Sequence, residues 1–134
     1  MFTILLSILF SIEADFTQTK SVAMMSEPQV TTGHMVYHAP DTLQWSYLTP
    51  NTVVWEMNGA QSNVNPQVQG LLRMIMACIE GQDMNDPKMK REYKRFFRSI
   101  EIEMDESGNV AKRVQLVEKN GDVTLIEFNN VITK

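Results

Sequence analysis

Two histidines, one cysteine and a few closely spaced carboxylates are the side chains here that could do chemistry. His34 and His38 stand four apart in HMVYH, but their neighbours alternate as a strand does. At ~3.3 Å rise per residue the two rings would lie ~13 Å apart, too far to share a metal. The glutamate of a zincin helix is also missing, so the pair reads as two unrelated histidines. Cys78 falls on or beside the apolar stripe of a helix, where a thiol packs as a small hydrophobe. Nothing orients it toward a histidine as a nucleophile would require. Glu101 and Glu103 sit on the polar face of a strand, which is ordinary solvated surface. No G-x-G-x-x-G, Walker loop or G-x-S-x-G occurs. The residues make no case for an enzyme, a metal or a cofactor; a role for Cys78 or His34 would need an activity lost in Cys78→Ala.

The chain has 134 residues, 43% apolar and 21% charged, enough for one folded domain spanning 1–134 with a single core. A net charge of −4 argues against a nucleic-acid binder, because phosphate binding needs a basic face. One cysteine allows neither an intramolecular disulfide nor a zinc cluster. No apolar run reaches the roughly 18 residues that cross a bilayer. Residues 2–12, FTILLSILFSI, resemble the core of a signal peptide but have no basic residue before them and no small-residue site after them. A short helix with Thr3 as N-cap and Ile4, Leu5, Ile8, Leu9 and Ile12 on one stripe is expected instead. The missing leader motif carries no information on compartment.

Strand character is expected from Asp15: residues 16–22 interleave aromatic and β-branched residues with polar ones. Pro28 ends that strand, and residues 30–37 form a second one, with Met35 and Tyr37 on one face and His34 and Val36 on the other. After a turn at Ala39-Pro40-Asp41, Leu43, Trp45 and Tyr47 alternate with polar residues, and residues 53–57 make a further strand closed by Asn58-Gly59. Asn65-Pro66 starts a helix whose Val68, Leu71, Leu72, Ile75, Met76 and Ile79 follow a 3.6 period, with Gly81 as its stop. Asp86-Pro87 starts a second helix, with Met89, Tyr93, Phe96, Phe97 and Ile100 as its stripe. Residues 100–105 alternate again, Ser107-Gly108-Asn109 turns, and two strands over 110–118 and 123–131 flank an Asn120-Gly121-Asp122 hairpin. Six of the 12 basic residues (Lys88, Lys90, Arg91, Lys94, Arg95, Arg98) crowd the second helix. Such a helix is either a solvated face or a contact for anionic lipid or an acidic partner. Ten methionines and the aromatic strand face suggest either an ordinary core or an adaptable greasy cavity.

Residues 12–59 resemble the periplasmic outer-membrane lipoprotein carrier LolA and its LolA/LolB-like relatives. FTQTK at 16–20 looks like that family's F-x-Q opening strand. GHMVYHAPDTLQWSYLTP at 33–50 looks like its strand–turn–strand run, and NTVVWEMNG at 51–59 like the next strand and turn. VQLVEKNGDVTLIEFNNV at 114–131 is similar to the closing hairpin. The resemblance covers about half of the chain, in order. It implies an α+β fold: a curved antiparallel sheet, an unclosed half-barrel of about six to eight strands, with helices packed over the concave face. It further implies a periplasmic carrier or chaperone that buries acyl chains of lipoproteins or lipids without chemistry and delivers them toward the outer membrane. Its partners would be inner-membrane donor and outer-membrane acceptor proteins, with peripheral membrane contact and no nucleic acid, acting as a monomer. Ala39 stands where LolA has an Arg before the turn proline that helps hold the lid closed, so the resemblance implies the cavity but leaves the opening–closing switch open. Strands that the family has between the Asn-Gly turn and the second helix are also missing, as in an abbreviated sheet.

By position, the lining of such a cavity would be Met35, Tyr37, Leu43, Trp45, Tyr47, Val53, Trp55 and Met57 from the sheet, with Leu72, Met76 and Ile79 from the helix. The alternative function is a non-carrier envelope interaction or sensor module on the same scaffold that binds a polypeptide. What separates the two is whether the apolar face encloses a cavity or a filled core.

Overall fold

The computed structural model describes residues 11–39, 41–59, 61–80, 83–106 and 110–134. These form strands β1 (Ser11–Ser21), β2 (Gln29–His38), β3 (Thr42–Thr49), β4 (Val53–Asn58) and β5 (Gln61–Ser62). Helices α1 (Pro66–Ile79) and α2 (Pro87–Tyr93) follow, then β6 (Phe97–Met104), β7 (Ala111–Glu118) and β8 (Val123–Thr133). The eight strands make one unclosed antiparallel sheet in the order β5-β4-β3-β2-β1-β8-β7-β6. Each half is a local meander, turned by glycines that take the positive φ a tight hairpin needs, Gly59 at 63° and Gly121 at 93°. One seam joins the halves. β1 and β8 pair from Ile12↔Thr133 to Ser21↔Val123, and the end is tied by reciprocal backbone bonds between Ser11 and Lys134 of 2.8 and 2.9 Å.

One face of the sheet carries the core. Register aligns Ile12, Tyr37, Leu43 and Met57 in one row, Ala14, Met35, Trp45 and Trp55 in the next, and Phe16, Gly33, Tyr47 and Val53 in a third. Val114, Leu116, Ile126 and Phe128 continue this buried face on the other half. The alternation expected for Met35, Tyr37, Leu43, Trp45 and Met57 is the one found, since all five are buried.

Helix α1 begins as its sequence requires. The Asn65 side chain accepts from the Val68 N–H at 2.9 Å, and Pro66 occupies the first turn, where its missing N–H is no loss. Met74, Ile75, Met76, Ala77, Cys78 and Ile79 are all buried, and Leu72 with them belongs to the same core as the sheet's inner residues. The far end is fixed by the Tyr37 hydroxyl, which donates to Glu80 Oε2 at 2.8 Å.

Two expectations need correction. Ser11 and Ile12 belong to β1 and not to a helix, because their backbones pair with β2 on one side and β8 on the other, with Ile12, Ala14 and Phe16 facing inward. The rest of that helix, with Pro40, Gly81 and the Ser107-Gly108-Asn109 turn, lies outside the described residues. The second correction is the long basic helix. α2 stops at Tyr93, Lys94 caps it, and Phe96 donates back to the Tyr93 carbonyl in a turn. Met89 and Tyr93 lie on α2 as expected, but Phe97 and Ile100 are strand residues paired with Glu118 and Leu116, so the far end of the apolar stripe is the inner face of β6 read as a helix. Of the six basic side chains only Lys88, Lys90 and Arg91 lie on α2.

The aromatic packing turns on Gly33. A Cβ there would collide with the Phe16 ring and the Ser46 carbonyl. With only a hydrogen at that point, Phe16 lies across the sheet and stacks on Trp45, with centroids 4.0 Å apart and planes 18° off parallel. Tyr47 and Phe128 meet this pair edge-on. Gly33→Ala should therefore destabilise the domain by about 1–3 kcal/mol, the usual cost of overpacking. A thermal melt within a degree of the wild type would show that the Phe16 ring and the Ser46 carbonyl can both move aside.

Candidate functional site

Beyond Phe16 the inner face of the sheet is no longer filled. A pocket of about 540 Å³ opens there, in the range of small-ligand sites, with walls of Tyr47, Trp55, Val68, Leu71, Phe96, Phe97, Leu116 and Ile126. Strands β3, β4, β6, β7 and β8, the first turns of α1 and the turn after α2 supply these side chains. Trp55 stands edge-on to Tyr47 at 5.1 Å, which sets one wall at a fixed angle. The Tyr47 hydroxyl donates to Gln18 Oε1 at 2.8 Å, and burial pushes its pKa up, so it stays a neutral donor. Phe96 packs its ring against Gly70 of α1, where a Cβ would come within 2.9 Å of the ring. That glycine lets the turn after α2 close over the pocket.

The mouth is polar. Lys20, Arg95 and Lys119 stand around it with Gln18, Thr124 and Glu118. Glu118 is paired with Lys20 at 3.4 Å. A shallower groove of about 560 Å³ runs on from it between Pro87, Lys90, Arg91, Lys94, Arg95 and Lys119. The two share Arg95 and Lys119.

Of the residues expected to line a cavity, Tyr47 and Trp55 do so. Met35, Tyr37, Leu43, Trp45, Met57, Leu72, Met76 and Ile79 are not in its walls; they are packed in the core, Trp45 and Tyr37 with no exposed surface at all. Val53 shares the Tyr47 row but is 41% exposed, because it starts its strand beyond the cover of the core. Val68 and Leu71 lie on the same helical stripe as Leu72 and Ile79, in the first turns of α1. They were not expected in the site because periodicity identifies a face but not where along it packing stops. Phe96 gave no signal once it was assigned to a helix.

The opposite face of the sheet holds a charged cluster. His34 Nδ1 lies 2.8 Å from Asp15 Oδ1, and Nε2 lies 2.8 Å from Glu13 Oε1. Carboxylates only accept, so both contacts are hydrogen bonds only when both ring nitrogens carry protons. The Asp15 bond is the largest influence on the His34 pKa and raises it; burial opposes it, and the Glu13 bond adds a further upward effect, so the net shift is upward. Asn130, held at φ 52° beside the β1–β8 irregularity, donates to Asp15 at 2.9 Å and with His34 lowers the Asp15 pKa. The two carboxylates bind opposite ring nitrogens and cannot share one ion with the imidazole. Among the described residues no three His, Cys, Asp or Glu side chains form a metal site. Cys78 is fully buried and its thiol is pushed up to about 12 by desolvation, which keeps it protonated at neutral pH. No helix among the described residues is long and apolar enough to cross a membrane.

The chain matches no protein-family model and no curated protein sequence.

The histidine bridge has a definite pH dependence. Its contribution to stability is complete below the ordinary histidine value of 6.5 and is lost as pH rises through the raised folded value. The depressed Asp15 carboxyl works in the other direction, adding stability above its ordinary 3.8 and losing it as pH falls. The groups are partly exposed, so solvent screening keeps both effects small. An NMR titration should place the His34 midpoint above 6.5 and move it down in Asp15→Asn; a midpoint at or below that value would mean the bridge does not form in solution.

Proposed function

We propose that the domain is a periplasmic carrier or chaperone that binds an acyl chain of a lipid or lipoprotein and works by reversible burial, without catalysis. The observation that carries this reading is the 540 Å³ apolar pocket left open between the start of α1 and the inner face of an otherwise well-packed sheet. In this reading the unclosed sheet is a half-barrel and α1, with the turn after α2, covers its concave side. The motif resemblance to LolA-like carriers at residues 16–20, 33–59 and 114–131 supports the same class. The physics suits it as well: each methylene kept out of water is worth ~0.8 kcal/mol, so a chain crossing an aqueous space needs a host. The pocket's size suits a single chain; a multiply acylated cargo would require α1 and Phe96 to move. Inner-membrane donors and outer-membrane acceptors are the partners of a monomeric carrier of this kind. The polypeptide-binding module is the competing reading.

The test is uptake of a fluorescent fatty-acyl probe by the purified protein, with extraction and mass spectrometry of whatever copurifies. Leu71→Trp should fill the pocket and weaken probe binding at least about tenfold, roughly 1.4 kcal/mol, while leaving the melting temperature close to that of the wild type. Trp45→Glu should instead unfold the domain, since it places a charge in a filled core. A folded wild type that neither copurifies with lipid nor takes up the probe would remove the carrier reading and leave the polypeptide module.

A further inference from the structure

We infer that the pocket is built for an amphiphile with an anionic head group: the acyl chain enters the apolar pocket, and a phosphate or carboxylate sits on a cationic collar at its mouth. This rests on the acyl-chain reading above and adds to it the chemistry of the head.

The collar is assembled from three distant parts of the chain. Lys20 comes from the end of β1, Arg95 from the turn between α2 and β6, and Lys119 from the turn between β7 and β8. Arg98 Nη2 donates to the Lys119 carbonyl at 2.8 Å and holds that turn beside β6. The groove that shares Arg95 and Lys119 adds Lys90, Arg91 and Lys94. The protein as a whole carries a net charge of −4, so this concentration of positive charge is local and not a reflection of composition. Glu118 is the one carboxylate among the residues lining the pocket and the groove, and Lys20 already engages it at 3.4 Å. Among the described residues, Lys90, Arg91, Lys94, Arg95 and Lys119 form no ion pair.

An uncompensated group of cations repels itself and attracts a counter-ion. At a flat, wet surface that attraction is weak. Here Arg95 and Lys119 border an apolar pocket that holds little water once a chain fills it, and charges at such an edge interact more strongly. Arg95 also offers a planar fork that matches the two oxygens of a phosphate or carboxylate. An acidic protein would meet the collar but leave the pocket empty; a neutral lipid would fill the pocket but leave the collar unmatched. The anionic amphiphile satisfies both.

The experiment displaces a fluorescent fatty-acyl probe with single-chain lipids of identical tail: lysophosphatidylglycerol, lysophosphatidylcholine and monoacylglycerol, all below their micelle concentrations, with inorganic phosphate alone as a fourth competitor. The anionic lipid should bind about tenfold tighter than the neutral one, and the margin should shrink with added salt. Arg95→Gln with Lys119→Gln should abolish the margin, bringing the anionic lipid down to the affinity of monoacylglycerol for the same variant. Glu118→Gln, which releases Lys20, should widen it. Both Arg95 and Lys119 are exposed, so their replacement leaves the core intact, and an unchanged melting temperature verifies this. Equal affinities for the three lipids, or a margin that survives the double substitution, would overturn the head-group inference while the acyl-chain reading stands. Displacement by phosphate alone, as strong as by the anionic lipid, would make the collar a free-anion site and also overturn it. Failure of the folded protein to take up the probe at all would remove both.

Discussion

The structure depends on one missing side chain. Gly33 leaves a gap on the inner face of β2, and the Phe16 ring lies over that gap close enough to exclude any Cβ. From there Phe16 stacks on Trp45, and Trp45 and Phe16 both meet Tyr47 edge-on, so aromatic contact crosses β1, β2 and β3 without interruption. Phe128 on β8 joins from the other meander. A sheet whose two halves meet at a single seam needs a core that spans the seam, and Phe16 provides it, paired in register with Gly33 on one side and Phe128 on the other. The stack also divides the inner face. On the Ile12 side Ile12, Ala14, Met35, Tyr37, Leu43, Trp45 and Met57 are packed in the core; on the Gln18 side the pocket begins.

Helix α1 spans that division, and its sequence changes accordingly. Its last turns bury six residues in succession, while Val68 and Leu71 near its start are only half-buried and stand in the pocket wall. The helix is fixed at both ends by polar contacts: Asn65 caps the start and Tyr37 holds Glu80 at the finish. An open apolar pocket forgoes the packing that would otherwise fill it. Here the densely packed end of α1 compensates, so the domain keeps an open pocket and remains folded.

Much of this was legible in the sequence where the determinants are local. Asn58-Gly59 and Asn120-Gly121 marked hairpins that exist, Asn65-Pro66 and Asp86-Pro87 marked helix starts that exist, and alternation assigned the inward faces of β2 and β3 correctly. The seam was not legible: Asp15 and Asn130 meet across 115 residues, and pairing at that separation leaves no local trace. The His34 bridge was hidden for the same reason, since it exists only in the β1–β2 register. The end of α2 was misread because 96, 97 and 100 satisfy a helical stripe as well as the start of a strand. The apolar face was recognised, but periodicity cannot say whether that face is solid or hollow, and most of the residues chosen for a cavity are core.

A signal for the hollow was nevertheless present in the strands. Along β1 the inward positions run Ile12, Ala14, Phe16 and then turn polar at Gln18 and Lys20. On β7 they run Val114, Leu116 and then Glu118, and on β8 Phe128, Ile126 and then Thr124. Register sets Gln18 beside Ile126 and Lys20 beside Thr124, with Leu116 beside that same Thr124, so the change from apolar to polar comes first on β1, then on β8 and last on β7, and crosses this end of the sheet obliquely. Had the core been sealed at that end, an inward lysine and glutamate would both be desolvated, at a cost of several kcal/mol each. Lys20 and Glu118 instead pair with each other at 3.4 Å and both keep about a third of their surface exposed, so this end of the apolar walls is open to water. A mouth of this kind is dictated by the alternation of each strand taken together with the pairing between them, and neither alone would reveal it.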